Sequence, residues 1–248
     1  MGWLYDWLFD PNPKPRKKEA DEPKRGRGRP RTTPLMSCEK QAMTEGTRHV
    51  APSINKPANH RDIYIDGEWN SLTKPQKFYL LGYCFDLNHA GWLYDENDYT
   101  FMGKTLYKLP YRGKNYLTRE KVLELLDGVE NIYFYGPDIG MLEKCFNISL
   151  KDKYNCINLL HATKQLEPNA ESHKLVHYEH QAGIYRETEG YKHNSIYNVH
   201  RDWYTDPRHR ARVLLYNKED VINLLRVKKF IYKKFHVTKA QEKEWALH

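Results

Sequence analysis

Nowhere in the chain do about 18 apolar residues follow one another, so no segment reads as a membrane-spanning helix. The four cysteines, Cys38, Cys84, Cys145 and Cys156, form no C-x-x-C pair. Neither a zinc site nor a disulfide framework is indicated, and a reducing compartment is the simplest setting. The start, Met1-Gly2-Trp3-Leu4-Tyr5-Asp6, has no basic stretch ahead of a long apolar region and does not read as a secretion signal. Position six is neither Ser nor Thr, so a myristoylation signal is not expected either. Together these absences predict an intracellular protein, cytoplasmic or nucleoid-associated. Apolar periodicity is missing from Pro11 to about His60, a stretch that carries Pro13, Pro15, Pro23, Pro30, Pro34, Pro52 and Pro57. That composition predicts a mobile tail over 1–60 and a folded domain over 61–248.

What is present fits one sizeable core plus that tail: 248 residues, 40% hydrophobic, 13% aromatic, with 19 tyrosines. The net charge of +8 and pI near 9.1 favour a polyanionic partner, because neutralising phosphates releases condensed counterions. At the start of the tail, Trp3, Leu4, Trp7 and Leu8 are spaced to share one helical face. So short a piece must fold back on the domain or dock on a protein partner.

Within the tail, Pro23-Lys24-Arg25-Gly26-Arg27-Gly28-Arg29-Pro30-Arg31 resembles an AT-hook. An extended Arg-Gly-Arg-Pro strip is thin enough for the minor groove of A·T-rich DNA, where negative potential is strongest. Arg27 and Arg29 would enter the groove, with Lys24, Arg25 and Arg31 on phosphates. A basic linker that touches any polyanion is the other reading.

The folded part opens with Asp62-Ile63-Tyr64-Ile65-Asp66-Gly67-Glu68-Trp69, a strand pattern ending in two acids. Phe78–Phe85 is a nearly continuous apolar run suited to a buried strand, and 90–94 gives a third strand at hairpin spacing. Thr118 is placed to cap a helix through Val122, Leu125 and Leu126 that stops near Gly128. Asn131–Asp138 is a strand closing on an acid, followed by a short helix with Met141, Leu142 and Cys145. Tyr154–Leu159 is a further strand, leading to a helix that contains His173, Leu175, Val176, Tyr178 and His180. The last helix is predicted from about Arg210 to Phe235. A hairpin meander that becomes strand, helix, strand, helix is the α/β order of an RNase H-like mixed sheet flanked by helices.

Asp66 and Glu68, at i and i+2 of a strand, face the same way. Two carboxylates about 4 Å apart repel by roughly 4 kcal/mol at an effective dielectric near 20, so a proton or cation belongs between them unless both are simply hydrated at a strand end. Asp138 follows a strand, and Asp220 shares a helix face with Tyr216, one turn earlier. Four hard oxygen donors suit a pair of Mg²⁺ or Mn²⁺ ions, which can clamp an in-line phosphodiester displacement.

Asp66-Gly67-Glu68, Gly136-Pro137-Asp138 and Tyr216-Asn217-Lys218-Glu219-Asp220 resemble, in this order, the three motifs of the DEDD superfamily of 3′→5′ exonucleases. The resemblance is to its Tyr-containing branch, and more narrowly to RNase H-like predicted exonuclease domains of prokaryotes and their viruses, which would place a viral protein in its host cell. It covers about residues 61–235, with His173–Gly183 similar to the intervening helix. Gly67 and Trp69 depart from the more usual aliphatic and Thr, and the Asn and aromatic that commonly precede the second Asp are missing. The resemblance implies Asp66, Glu68, Asp138 and Asp220 as ligands of two ions and Tyr216 as the group orienting water; nucleic acid, DNA ahead of RNA, is the expected partner. An endonuclease of the same fold, or a DNA-binding protein that keeps the fold without the chemistry, are the alternatives.

Two further features bear on binding. His173, His177 and His180 have a spacing that could hold zinc on one helix face, but no Cys or acid completes the set convincingly; a solvated or packing role is favoured, with phosphate contact as the alternative if the helix lines the substrate path. Lys174, Arg186, Lys192, Arg201, Arg208, Arg210 and Arg212 are interleaved with Tyr185, Tyr191, Tyr197, Trp203 and Tyr204. Such a region could stack unpaired bases and track phosphates, with Lys174 and Arg186 as nucleic-acid contacts, or it could be a polar loop with its aromatics packed inward.

Overall fold

A computed structural model of the chain describes residues 54–70, 76–97, 99–101, 104–107, 115–188, 199–200, 203–204 and 207–247. The AT-hook-like segment 23–31 and the Trp3, Leu4, Trp7, Leu8 group lie outside the described residues, as do Tyr191, Lys192, Tyr197 and Arg201. Strands β1 (Asp62–Asn70), β2 (Lys77–Asp86) and β3 (His89–Tyr94) form the meander. A small separate hairpin, β4 (Tyr99–Phe101) and β5 (Lys104–Tyr107), follows. Helix α1 (Arg119–Leu126) leads to β6 (Asn131–Phe134), α2 (Asp138–Phe146) and β7 (Asn155–Asn158). After these come α3 (Leu159–Leu166), α4 (Leu175–Gln181) and the long α5 (Pro207–Lys234). The chain closes with α6 (Lys239–Glu244) and β8 (Ala246–Leu247).

The main sheet has the order β3-β2-β1-β6-β7-β8. β1 pairs antiparallel with β2 and parallel with β6, and β6 is parallel to β7. This is the mixed sheet with flanking helices that the element order predicts. Alternation along β1 sorts its side chains. Ile63 and Ile65 join Val122, Leu125, Leu126, Ile139 and Leu142 of α1 and α2 on one face. Tyr64 joins Leu159, Ala162, Val221, Leu224 and Leu225 of α3 and α5 on the other. β2 is buried along nearly its whole length, as its unbroken apolar run requires.

Local signals set most boundaries. The Thr118 hydroxyl accepts from Lys121 N–H at the start of α1, and Gly128, with φ of 78°, turns the chain after it. Three differences from the sequence reading stand out. The folded part begins before Arg61: Asn55 N–H donates to the Tyr83 hydroxyl at 3.3 Å, and the His60 Nε2 contacts the Asp127 carbonyl at 2.8 Å. The predicted histidine-bearing helix is two pieces, because Asn158 caps α3 directly at the end of β7 and α3 stops at Leu166. His173 therefore precedes α4 and contacts the Tyr178 hydroxyl, while His177 bonds Gln181, so the three histidines do not share one helix face.

The third difference is the unpredicted C-terminal unit. Thr238 and Gln241 form a reciprocal capping box for α6, and β8 covers the outer edge of β7. Trp245 is buried beside Tyr64 and Tyr133, with its indole N–H donating to Gln165 Oε1 at 2.6 Å. Among the described residues no helix is long and apolar enough to cross a membrane. Trp245→Ala is expected to destabilise the domain by about 3 kcal/mol through the lost burial and the cavity left behind, read as a shift in the urea midpoint.

Candidate active site

The acids gather where β1 and β6 end. Asp66 and Glu68 lie on the same face of β1 as Tyr64, the face that α5 covers, and a bulge after Glu68 shifts the register of the pairing with β2. From α5, Asn217 reaches the strand: its Nδ2 donates to Asp66 Oδ2 at 2.7 Å and to the Asp66 carbonyl at 3.2 Å. That approach depends on Gly82, the β2 partner of Asp66, because a Cβ there would stand 2.0 Å from Asn217 Oδ1. Gly67 is required for a similar reason, since a Cβ would meet the Phe78 ring at 2.1 Å.

Asp138 is the first residue of α2, where backbone N–H groups and the helix dipole favour a carboxylate. The Gly67 N–H donates to its Oδ1 at 3.0 Å, tying the second motif to the first. The turn before it runs through Gly136 at φ of 136°, and the Asn158 amide grips both backbone groups of that glycine, at 3.3 and 2.9 Å. Asp220 sits on α5 one turn after Tyr216, with Arg186 Nη2 2.6 Å from its Oδ1.

Asp138 and Asp220 are buried, while Asp66 and Glu68 are partly open to solvent. Burial raises the pKa of all four. Asp66 is pushed well above its ordinary value, first by desolvation and then by repulsion from Asp220, Asp138 and Glu68, against the pull of the Asn217 hydrogen bond. Desolvation, Asp220 and Asp138 push Glu68 up to about 8. Asp138 rises to about 7 by burial, opposed by the Gly67 N–H. Asp220 also rises to about 7 by burial, with Arg186 pulling the other way. Asp220 is therefore close enough to raise Asp66 and Glu68 even though it is ion-paired. Burial and the Asp220 charge hold the Tyr216 phenol above its usual value, so it stays protonated.

The donor set is of the hard-oxygen kind that Mg²⁺ and Mn²⁺ take, and mutual repulsion among the acids is what a bound cation relieves. The residues thus fit two such ions in kind. The side chains as placed are not already a coordination cage: among the described residues no three His, Cys, Asp or Glu are arranged to hold a metal ion.

The residues expected to touch nucleic acid fare differently. Lys174 is exposed, just before α4. Arg186 has another setting, its side chain largely enclosed and paired with both Glu179 and Asp220. Trp203 and Tyr204 pack inward, and Arg210 is buried against Glu96 and the Trp203 ring, whereas Tyr185 is 80% exposed. Sequence reasoning missed Asn217, Glu179, Gly82 and Asn158. Only Asn217 carried a signal, by lying between Tyr216 and Asp220.

Residues 63–232 match the family profile described as the RNase_H superfamily. The chain belongs to the RNase H superfamily. Among solved structures, this RNase H superfamily member is similar to Brucella melitensis NrnC, at 14% identity over 77% of this chain and 85% of that one, with a TM-score of 0.50. It is also similar to the same protein bound to pGG, at 15% identity over 77% and 82% of the chains, with a TM-score of 0.50. A structure described as the apo form of a nuclease stands at 10% identity, 75% and 78% coverage and a TM-score of 0.48. At these identities the likeness is one of fold. No curated protein matches the chain in sequence.

Gly82→Ala should cost about 1–3 kcal/mol of stability by forcing Asn217 aside, and should loosen Asp66 as well, read as a lower urea midpoint together with weaker Mn²⁺ binding. A second expectation concerns pH. With Glu68 near 8 and Asp138 and Asp220 near 7 in the folded state, and unfolded carboxylates near 4, the folded chain binds more protons than the unfolded one between about pH 4 and 8. The cluster's contribution to stability therefore declines as pH rises through that window. In metal-free buffer the Tm should fall from pH 5 to pH 8, less steeply in Asp66→Asn, and Mn²⁺ should raise it more at pH 8 than at pH 5.

Proposed function

We propose that the chain is a metal-dependent nuclease, a 3′→5′ exonuclease that hydrolyses phosphodiester bonds of DNA in preference to RNA. The observation that carries this reading is the convergence of Asp66, Glu68, Asp138 and Asp220 from three separate segments, with the Asp220 and Asp138 charges close enough to raise the pKa of Asp66 and Glu68, and with Tyr216 one turn before Asp220. Membership of the RNase H superfamily and the fold likeness to NrnC, one structure of which is bound to pGG, support the nuclease part of this reading.

The four carboxylates would hold two divalent ions, which when bound supply a water of lowered pKa and stabilise the leaving 3′ oxygen. Tyr216, kept protonated, would orient that water by hydrogen bonding rather than deprotonate it. Asn217 holds Asp66, and the Gly67 N–H holds Asp138, so two of the carboxylates are fixed before any substrate arrives. The Arg-Gly-Arg-Pro strip at 23–31 would keep the domain near A·T-rich DNA, raising local substrate concentration without fixing its orientation.

A second reading has its own support in the ion pair on Asp220 and in the absence, among the described residues, of a ready coordination cage. It is a nucleic-acid-binding domain that keeps the fold without catalysis. End-labelled single-stranded DNA, RNA and pGG, incubated with Mg²⁺ or Mn²⁺, separate the two. The nuclease reading expects mononucleotides released from a 3′ label at once, a ladder from a 5′ label, and loss of roughly 10³-fold or more in Asp66→Ala and Asp220→Ala. Binding without release of nucleotides under either metal would leave the second reading, and cutting of circular single-stranded DNA would make the enzyme an endonuclease.

A further inference from the structure

Arg186 lies in the segment between α4 and α5, and its guanidinium meets three groups at once. Its Nε donates to Glu179 Oε2 at 2.7 Å and its Nη2 to Glu179 Oε1 at 2.5 Å, while Nη2 also reaches Asp220 Oδ1 at 2.6 Å. The guanidinium carbon stands 5.1 Å from the centroid of the Tyr216 ring. Arg186 is 9% exposed and Glu179 0%. The backbone on either side is anchored too: Glu187 N–H and Thr188 N–H donate to Glu219 of α5, at 2.7 and 3.2 Å. The cation is thus fixed from α4, from its own strand of chain and from α5.

A planar fork bound edge-on by one carboxylate has a fixed direction, which a lysine ammonium lacks. Glu179 balances the charge of Arg186, so the pair sets no net positive charge against cations entering the acidic cluster. What remains is orientation. Arg186 meets Oδ1 of Asp220 and lies over the ring of Tyr216, the two residues of the third motif. Partners that hydrogen-bond a metal-binding carboxylate commonly set its direction in this way.

We propose that Arg186, anchored by the buried Glu179, is the positioning residue of the third motif, holding the Asp220 carboxylate and the Tyr216 ring in register with Asp66, Glu68 and Asp138. The proposal rests on the nuclease reading of the same site, and it makes Arg186 and Glu179 part of the catalytic apparatus although neither would touch substrate.

The test measures Mn²⁺ affinity of the full chain by calorimetry and by electron paramagnetic resonance, beside nuclease kinetics. Arg186→Lys keeps the charge and loses the fork; it should lower Mn²⁺ affinity and kcat by roughly 10–100-fold while KM changes little. Removing Arg186 alone strands a buried carboxylate and can unfold the domain. The paired change Glu179→Met with Arg186→Met removes both charges, is expected to keep the wild-type circular dichroism spectrum, and should show the same losses. Folded variants with wild-type Mn²⁺ affinity and kcat would overturn the proposal. So would tighter Mn²⁺ binding, which would mean that Arg186 competes with the cation. A wild-type chain that neither binds Mn²⁺ nor releases nucleotides removes the nuclease reading itself, and the Arg186 role with it.

Discussion

Like-charged carboxylates crowded at one end of a sheet repel, and much of the surrounding chain is placed to hold them there. Three of the four acids have a restraint of their own. Asn217 donates to Asp66, the Gly67 N–H donates to Asp138, and Arg186 pairs with Asp220. The raised pKa values are the residue of repulsion and burial that these contacts leave uncompensated. A cluster of this kind is poised for protons or hard cations, and its cost to the metal-free fold grows with pH.

Helix α5 joins stability to chemistry. Val221, Leu224 and Leu225 bury the sheet face beneath it, and the preceding turn brings Asn217 and Asp220 over β1. Apolar packing therefore sets the height and rotation at which the polar residues arrive. Gly82 and Gly67 supply clearance on the strand side, where any side chain would collide with Asn217 or Phe78. The second motif is held from the opposite direction, by Asn158 at the end of β7 gripping the turn before Asp138. Three parts of the sheet thus converge through backbone and amide contacts, with the carboxylates as the cargo.

Much of this was legible in the residues. The β-branched and apolar runs marked β1, β2 and β6, the Thr118 cap marked α1, and the four acids with Tyr216 stood out by type and spacing. The rest was hidden for identifiable reasons. Asn158 is both the end of a strand and the cap of a helix, so α3 merged with α4 in a reading based on periodicity. The C-terminal α6 and β8 are too short and polar to signal themselves, and take their stability from Trp245 and from pairing with β7. Arg186 looked like one more cation in a basic stretch, because nothing local to it reveals a carboxylate on α4 and another on α5.

The sequence by itself determined the order of β1, β2, β3, α1, β6, α2, β7 and the long α5, the side-chain alternation that puts Asp66 and Glu68 on one face, and the helical spacing that pairs Tyr216 with Asp220. Those follow from periods of two and 3.6 residues, which are local properties of the backbone. Only the tertiary structure decided which face of β1 lies under α5, that Asn217 reaches Asp66, and that Arg186 pairs with both Glu179 and Asp220. Contacts between residues far apart in the chain depend on how layers pack and on where a glycine leaves room, and no short-range pattern encodes either.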